Sequence, residues 1–180
     1  MLIVLTGPSH SGKSALARAL LDSFDDKAAF LSVDDVLERT LVRPRSHMWK
    51  EIPLAYELLE PQVATLLARG WTVVFESTFT FVPDDGEPAF HGDRLAALVA
   101  RAAELCVASI VVQVLASRET LDGRARRSER LDPTIVRHTD VLHQNAALPA
   151  GSLRIISEQA DPSELARQVL ERLDAVRRGD

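Results

Sequence analysis

The chain has little cysteine, few aromatic residues and no excess of positive charge. Cys106 is the single cysteine among 180 residues, which excludes an intrachain disulfide framework or a cysteine-rich metal centre and fits a reducing interior. Its apolar neighbours lead us to expect it in the core. No apolar run is long enough to span a bilayer, and the apolar start, residues 1–6, lacks the preceding basic segment of a signal peptide. The expectation is a soluble cytoplasmic protein with no membrane partner. Lys and Arg number 21 against 26 Asp and Glu, for a formal net charge of −5, so the global basic footprint of a sequence-nonspecific nucleic-acid binder is missing, although a local basic groove is compatible with it. His138 and His143, five apart, do not share a helical face and make no metal motif. Hydrophobic residues make up 46% of the chain, enough for one compact domain over residues 1–180. There is no repeat, low-complexity tract or linker.

The most informative stretch lies near the start. Gly7, Pro8, Ser9, His10, Ser11, Gly12, Lys13 and Ser14 read G-P-S-H-S-G-K-S directly behind the apolar run L-I-V-L-T. This is the spacing of a phosphate-binding P-loop. The glycines let the backbone curl so that its N–H groups converge on a nucleotide's phosphates, Lys13 reaches the β- and γ-phosphates, and the Ser14 hydroxyl is suited to Mg²⁺. Ala17, Leu20, Leu21 and Phe24 follow at i, i+3, i+4 and i+7, so a helix with one apolar face begins where its positive end can hold phosphate.

Four further apolar segments, 28–33, 71–76, 108–115 and 153–156, alternate with helical patterns. The first ends abruptly in Asp34-Asp35. Segment 71–76 is apolar without alternation, which implies burial on both faces and a parallel sheet. Helices are expected over 54–69, with Pro61 kinking the helix or starting a new one and Gly70 ending it. Others are expected behind Asp93 as cap, where Leu95, Leu98, Val99 and Ala102 share a face, over the first part of 117–130, and over 133–144. A final helix follows, for which Asp161-Pro162-Ser163-Glu164 supplies an N-cap, an N1 proline and a capping acid ahead of Leu165, Val169, Leu173 and Val176. Segment 41–53 reads as an excursion over the sheet's rim and 77–92 as a long loop, the second holding Phe79, Phe81, Asp84, Asp85 and Phe90. The fold class is therefore α/β, a doubly wound, five-stranded parallel sheet flanked by helices, whose ligands bind outside the carboxyl ends of the strands. The P-loop, Asp34 and Glu76 all fall at that edge.

The order of P-loop, strand-S-V-D-D, G-W-T-V-V-F-E-S-T-F and an arginine-rich segment resembles the small P-loop kinases that phosphorylate hydroxyl groups. Chloramphenicol phosphotransferase, gluconate kinase and the kinase domain of polynucleotide kinases belong to this group, whose fold is that of P-loop nucleoside triphosphate hydrolases of the nucleoside-kinase type. The layout agrees over nearly the whole chain. The resemblance implies ATP and Mg²⁺ as cofactors, and it implies that an aspartate after the second strand, here Asp34, faces the acceptor hydroxyl as general base. Phosphoryl transfer needs a nucleophile held in line and charge neutralised, more than covalent help, and a carboxylate at a strand's end suits that task. Asp35 is the rival and the expected helix cap. Glu76 falls where these kinases carry an acid near the Mg²⁺ shell, with Ser77 and Thr78 beside the acceptor; a rim salt bridge is the other reading of Glu76. Arg118, Arg124, Arg126, Arg127 and Arg130 follow the fourth strand, where these kinases carry a lid, here about 117–133. Arg124 and Arg127, one turn apart, are the arginines expected to neutralise γ-phosphate charge, while Glu119, Asp122 and Glu129 among them also fit a solvated face of ion pairs.

The acceptor site is expected between Asp34, the 41–53 excursion with Arg43, Arg45, His47, Trp49 and Lys50, and the 77–92 loop, where Phe79 and Phe81 suit an apolar wall or ordinary packing. The leading reading is an ATP- and Mg²⁺-dependent kinase acting on a small-molecule hydroxyl of antibiotic, sugar or nucleoside type. A polynucleotide 5′-hydroxyl kinase is the alternative and needs a basic channel. A nucleotide-binding regulator or ATPase without an acceptor needs neither Asp34 nor the lid.

Overall fold

A computed structural model describes residues 1–40, 51–81, 87–128 and 133–178. Strands β1 (Leu2–Thr6), β2 (Ala28–Ser32), β3 (Thr72–Glu76), β6 (Ser109–Leu115) and β7 (Leu153–Ile156) form a five-stranded sheet in the order β2-β3-β1-β6-β7, and every pairing in it is parallel. A two-stranded antiparallel pair, β4 (Thr80–Phe81) with β5 (Ala89–Phe90), stands apart from it. The helices are α1 (Lys13–Asp22), α2 (Val33–Asp35), α3 (Ile52–Ala68), α4 (Gly92–Glu104), α5 (Arg118–Ser128), α6 (Pro133–Gln144) and α7 (Pro162–Arg178).

Strand β1 is central, and all five of its residues are buried. Alternation sorts its side chains between two cores. Leu2 and Val4 join Tyr56, Leu59, Phe75, Leu95 and Leu98 on the side of α3 and α4. Ile3 and Leu5 join Leu16, Leu20, Val112, Val169 and Leu173 on the side of α1 and α7. This two-faced burial is why β1 reads as an unbroken apolar run, and helices on both faces make the domain doubly wound as expected. Among the described helices none is long and apolar enough to cross a membrane.

Several local expectations change. Strand β2 stops at Ser32, because the Ser32 hydroxyl accepts the Asp35 N–H at 3.4 Å and starts α2 there. The chain then runs through a wide π-type turn, Val36–Thr40. Ser32, not Asp35, is the cap, and Asp35 instead pairs with Arg39 at 3.4 Å. Helix α3 begins at Ile52 and runs through Pro61 as one element. Pro61 and Glu57 both lie on its exposed side, where the carbonyl left over by the missing N–H can meet water. Gly70 ends the helix at φ 78°, as expected. Helix α4 starts at Gly92, so Asp93 sits inside its first turn and makes no capping bond. The 77–92 segment is not a plain loop, since it contains β4 and β5. Cys106 is exposed, not buried; it takes the left-handed turn that ends α4, at φ 55°, with its N–H on the Ala103 carbonyl at 2.9 Å. The Asp161 cap is present, its Oδ1 accepting the N–H groups of Ser163 and Glu164 at 2.9 and 3.0 Å.

Candidate active site

Register brings the strand ends together. Ser32 and Leu5 are both level with Glu76, and Thr6 is level with Gln113, so the chain leaves β2, β1 and β3 into Asp34, Gly7 and Ser77 at one edge. Between β1 and α1 the loop depends on its glycines. Gly7 has φ 147°, and a Cβ there would lie 2.1 Å from the Val114 carbonyl oxygen; Gly12 has φ 105°, and its Cβ would crowd Ser157 at 3.1 Å. His10 also adopts a left-handed conformation, φ 64°, which costs about 1–3 kcal/mol in a residue with a side chain. Two contacts from α5 hold it: Arg124 Nη1 donates to the His10 carbonyl at 3.0 Å, and Ser128 Oγ lies 3.3 Å from His10 Nε2. The same Arg124 nitrogen donates to Ser157 Oγ at 3.0 Å.

Lys13 is buried at 4% exposure, with its ammonium on the carbonyls of Gly7 and Pro8 at 3.1 and 2.9 Å. Burial lowers its proton affinity, while Glu76 and Asp34 oppose that. Glu76 is buried too, which raises its pKa against the opposing pull of Lys13 and of the Ser14 hydroxyl. Ser14 Oγ donates to Glu76 Oε1 at 2.7 Å. Asp34, exposed at the start of α2, acts on both neighbours: its carboxylate favours the Lys13 ammonium and disfavours the Glu76 carboxylate. The corner suits nucleotide phosphates and Mg²⁺ on its own geometry. The Gly7 turn admits no Cβ, the Ser11 hydroxyl is buried in the loop without a partner, and Ser14 with Glu76 offers two hard oxygen ligands side by side.

The chain matches the model of an AAA domain family over residues 2–149. It belongs to that family. No curated protein matches it by sequence. A protein from Chloroflexus aurantiacus J-10-fl, provisionally designated a kinase, superposes with a TM-score of 0.69 at 22% identity, covering 97% of this chain and 96% of that one. A sugar kinase from Janibacter sp. HTCC2649 gives 0.65 at 15% identity, over 96% and 94% of the two chains. A gluconokinase from Sinorhizobium meliloti 1021 gives 0.60 at 18%, over 97% and 91%. At such identities the likeness establishes the fold, which is that of the small P-loop kinases from end to end.

The other expected residues of this AAA domain are dispersed. Arg118, Arg126 and Arg127 are exposed on α5, and Asp122 pairs with Arg137 of α6 at 3.7 Å, not with an arginine of its own cluster. Arg130, Glu129, Asp84, Asp85 and the basic and aromatic residues Arg43, Arg45, His47, Trp49 and Lys50 lie outside the described residues. Phe79 and Phe81 belong to the core, at 0% and 7% exposure. Ser77 is engaged structurally: its hydroxyl is 2.6 Å from Tyr56 Oη and accepts the Phe79 N–H at 3.1 Å. Arg94 lies over the Tyr56 ring at 5.1 Å and pairs with Glu60 at 3.3 Å. Sequence reasoning missed Ser157 and Ser128 against the P-loop, and it passed over His143 except as a metal ligand. Arg124 and Ser128 reach the loop from 114 and 118 residues away, a separation at which no local spacing carries a signal.

Proposed function

We propose that this AAA domain is an ATP- and Mg²⁺-dependent phosphotransferase that moves the γ-phosphate to a hydroxyl of a small molecule, with Asp34 as general base. The observation that carries the reading is the meeting of Lys13, Glu76 and Asp34 from three elements at one corner, where Asp34 acts electrostatically on the other two. A nucleotide switch needs the first two alone. When bound, ATP supplies the transferable phosphoryl group and Mg²⁺ neutralises its oxygens.

The chain's own residues do the rest. Backbone N–H groups of residues 7–14 hold the phosphates, and Lys13 exchanges the Gly7 and Pro8 carbonyls for phosphate oxygens. Ser14 and Glu76 would hold Mg²⁺. Asp34, open to solvent, orients the acceptor hydroxyl and takes its proton. Arg124 keeps the loop in shape from α5, and Arg127 on the same helix offers the charge that closes over the developing negative oxygens. The names of the sugar kinase and gluconokinase neighbours agree with a small-molecule acceptor.

A labelled γ-phosphate transfer screen over alcohols of graded size, oligonucleotides included, tests the reading. Label should appear on a small hydroxyl compound, and Asp34→Ala should bind ATP yet lose transfer. Near-normal transfer by that variant would remove Asp34 from its role. Label on oligonucleotides alone would assign a polynucleotide kinase, and hydrolysis that no hydroxyl compound stimulates would assign a regulator or ATPase.

A further inference from the structure

Buried polar atoms without a partner are few in native proteins, and each calls for a reason. Among the described residues, Thr80, Gln113 and His143 supply most such side-chain atoms. A strand pairing, a ring contact and a hydrogen bond link the three in turn. Thr80 stands directly opposite Phe90 in the β4–β5 ladder, so both side chains leave the same face of that pair. The Phe90 ring meets the His143 ring edge-on at 5.3 Å. Gln113 Nε2 donates to the His143 carbonyl at 2.7 Å, which leaves Gln113 Oε1 over, together with Thr80 Oγ1 and the imidazole nitrogen that does not serve the Thr78 backbone.

The cluster adjoins the donor corner. Gln113 is level with Thr6, the last residue before the P-loop. Burial pushes the pKa of His143 down to about 3, the Lys13 charge adds to that, and the Thr78 backbone opposes it. His143 is therefore neutral at working pH, and all three side chains are uncharged. Their hydrogen-bonding needs are specific. Gln113 Oε1 only accepts, a neutral imidazole has one donor and one acceptor, and the threonine hydroxyl does either. A carboxylate or phosphate, which only accepts, leaves Gln113 Oε1 and one imidazole nitrogen unmet. Hydroxyl groups, which donate and accept, meet all of them.

We propose that Thr80, Gln113 and His143 form the specificity-determining floor of the acceptor pocket and select an uncharged, polyhydroxylated acceptor over an acidic one. The inference rests on the kinase reading above. Thr80 and His143 are at 2% and 0% exposure, so acceptor binding there requires α6 and the β4–β5 pair to part around the His143–Phe90 contact.

The test compares each neutral alcohol that accepts phosphate with its carboxylate counterpart, beginning with sorbitol and glucose against gluconate. It uses the full chain and the variants Thr80→Val and His143→Phe. The neutral compound should show a kcat/KM at least about tenfold higher, and each variant should raise its KM by about tenfold while the KM for ATP holds. Without ligand, Thr80→Val should melt no lower than the natural chain, because a methyl replaces a hydroxyl that has no partner. Preference for the acid overturns the inference, as does a lower melting temperature of Thr80→Val with an unchanged acceptor KM. Hydrolysis without any acceptor overturns the kinase reading itself.

Discussion

The phosphate-loop corner and the buried Thr80, Gln113 and His143 treat their polar groups in opposite ways. On the donor side, partners come from separate elements: Lys13 takes two loop carbonyls, Ser14 takes Glu76, and Arg124 joins His10 to Ser157. Ser11 Oγ is the group left over there. On the other side, Thr80, Gln113 and His143 are buried with hydrogen-bonding capacity unused. A preorganised site binds a constant ligand without rearrangement at the moment of reaction. Unpaired buried groups instead favour whatever ligand completes them, which is how a site discriminates strongly between similar compounds.

Four measurements would break or sharpen that contrast. The largest effect is expected from Lys13→Ala, which should lower kcat by about 10²–10³-fold as phosphoryl charge loses its buried cation; steady-state kinetics that show less than about a tenfold loss would undo the donor assignment. Next is acid sensitivity on the other side. The imidazole of His143 has a lower pKa in the fold than in the unfolded chain, so its contribution is complete above about 6.5 and is lost as pH falls from there toward about 3. Urea titrations should show about 2 kcal/mol less stability at pH 5 than at pH 6.5 from this group, a difference that His143→Phe removes.

Third, Arg124→Ala should weaken ATP binding by about tenfold in calorimetry, since it loosens the His10 turn, whereas Arg127→Ala should lower kcat with ATP affinity kept. Equal effects of the two would remove the distinction between loop support and charge closure. The smallest effect is expected from Tyr56→Phe. It deletes the 2.6 Å bond to Ser77 and should cost about 1 kcal/mol, or a few degrees in a thermal melt, because Ser77 keeps the Phe79 N–H.

Much of the fold and of the donor half was legible because the signals are contiguous. The P-loop is eight adjacent residues behind a strand, Gly70 and the Asp161 cap act within one turn of themselves, and two-faced burial writes the inner strands β1, β3 and β6 as largely apolar runs. Where a reading failed, a local preference met a competing partner. Ser32 captured the Asp35 N–H and ended β2 early, and α4 began at Gly92 ahead of Asp93. Cys106 sits among apolar neighbours in sequence, but the turn that ends α4 carries it outward.

The amino-acid sequence by itself determined the parallel sheet, the glycine-rich loop behind its first strand and the edge that carries Asp34 and Glu76, because periodicity and backbone freedom are local properties. Only the tertiary structure decided that Arg124 supports His10, that Glu76 faces Ser14, and that Gln113 and Phe90 both meet His143. Those pairings follow from strand register and from helices packing across the sheet, which bring together residues whose separation along the chain carries no spacing rule.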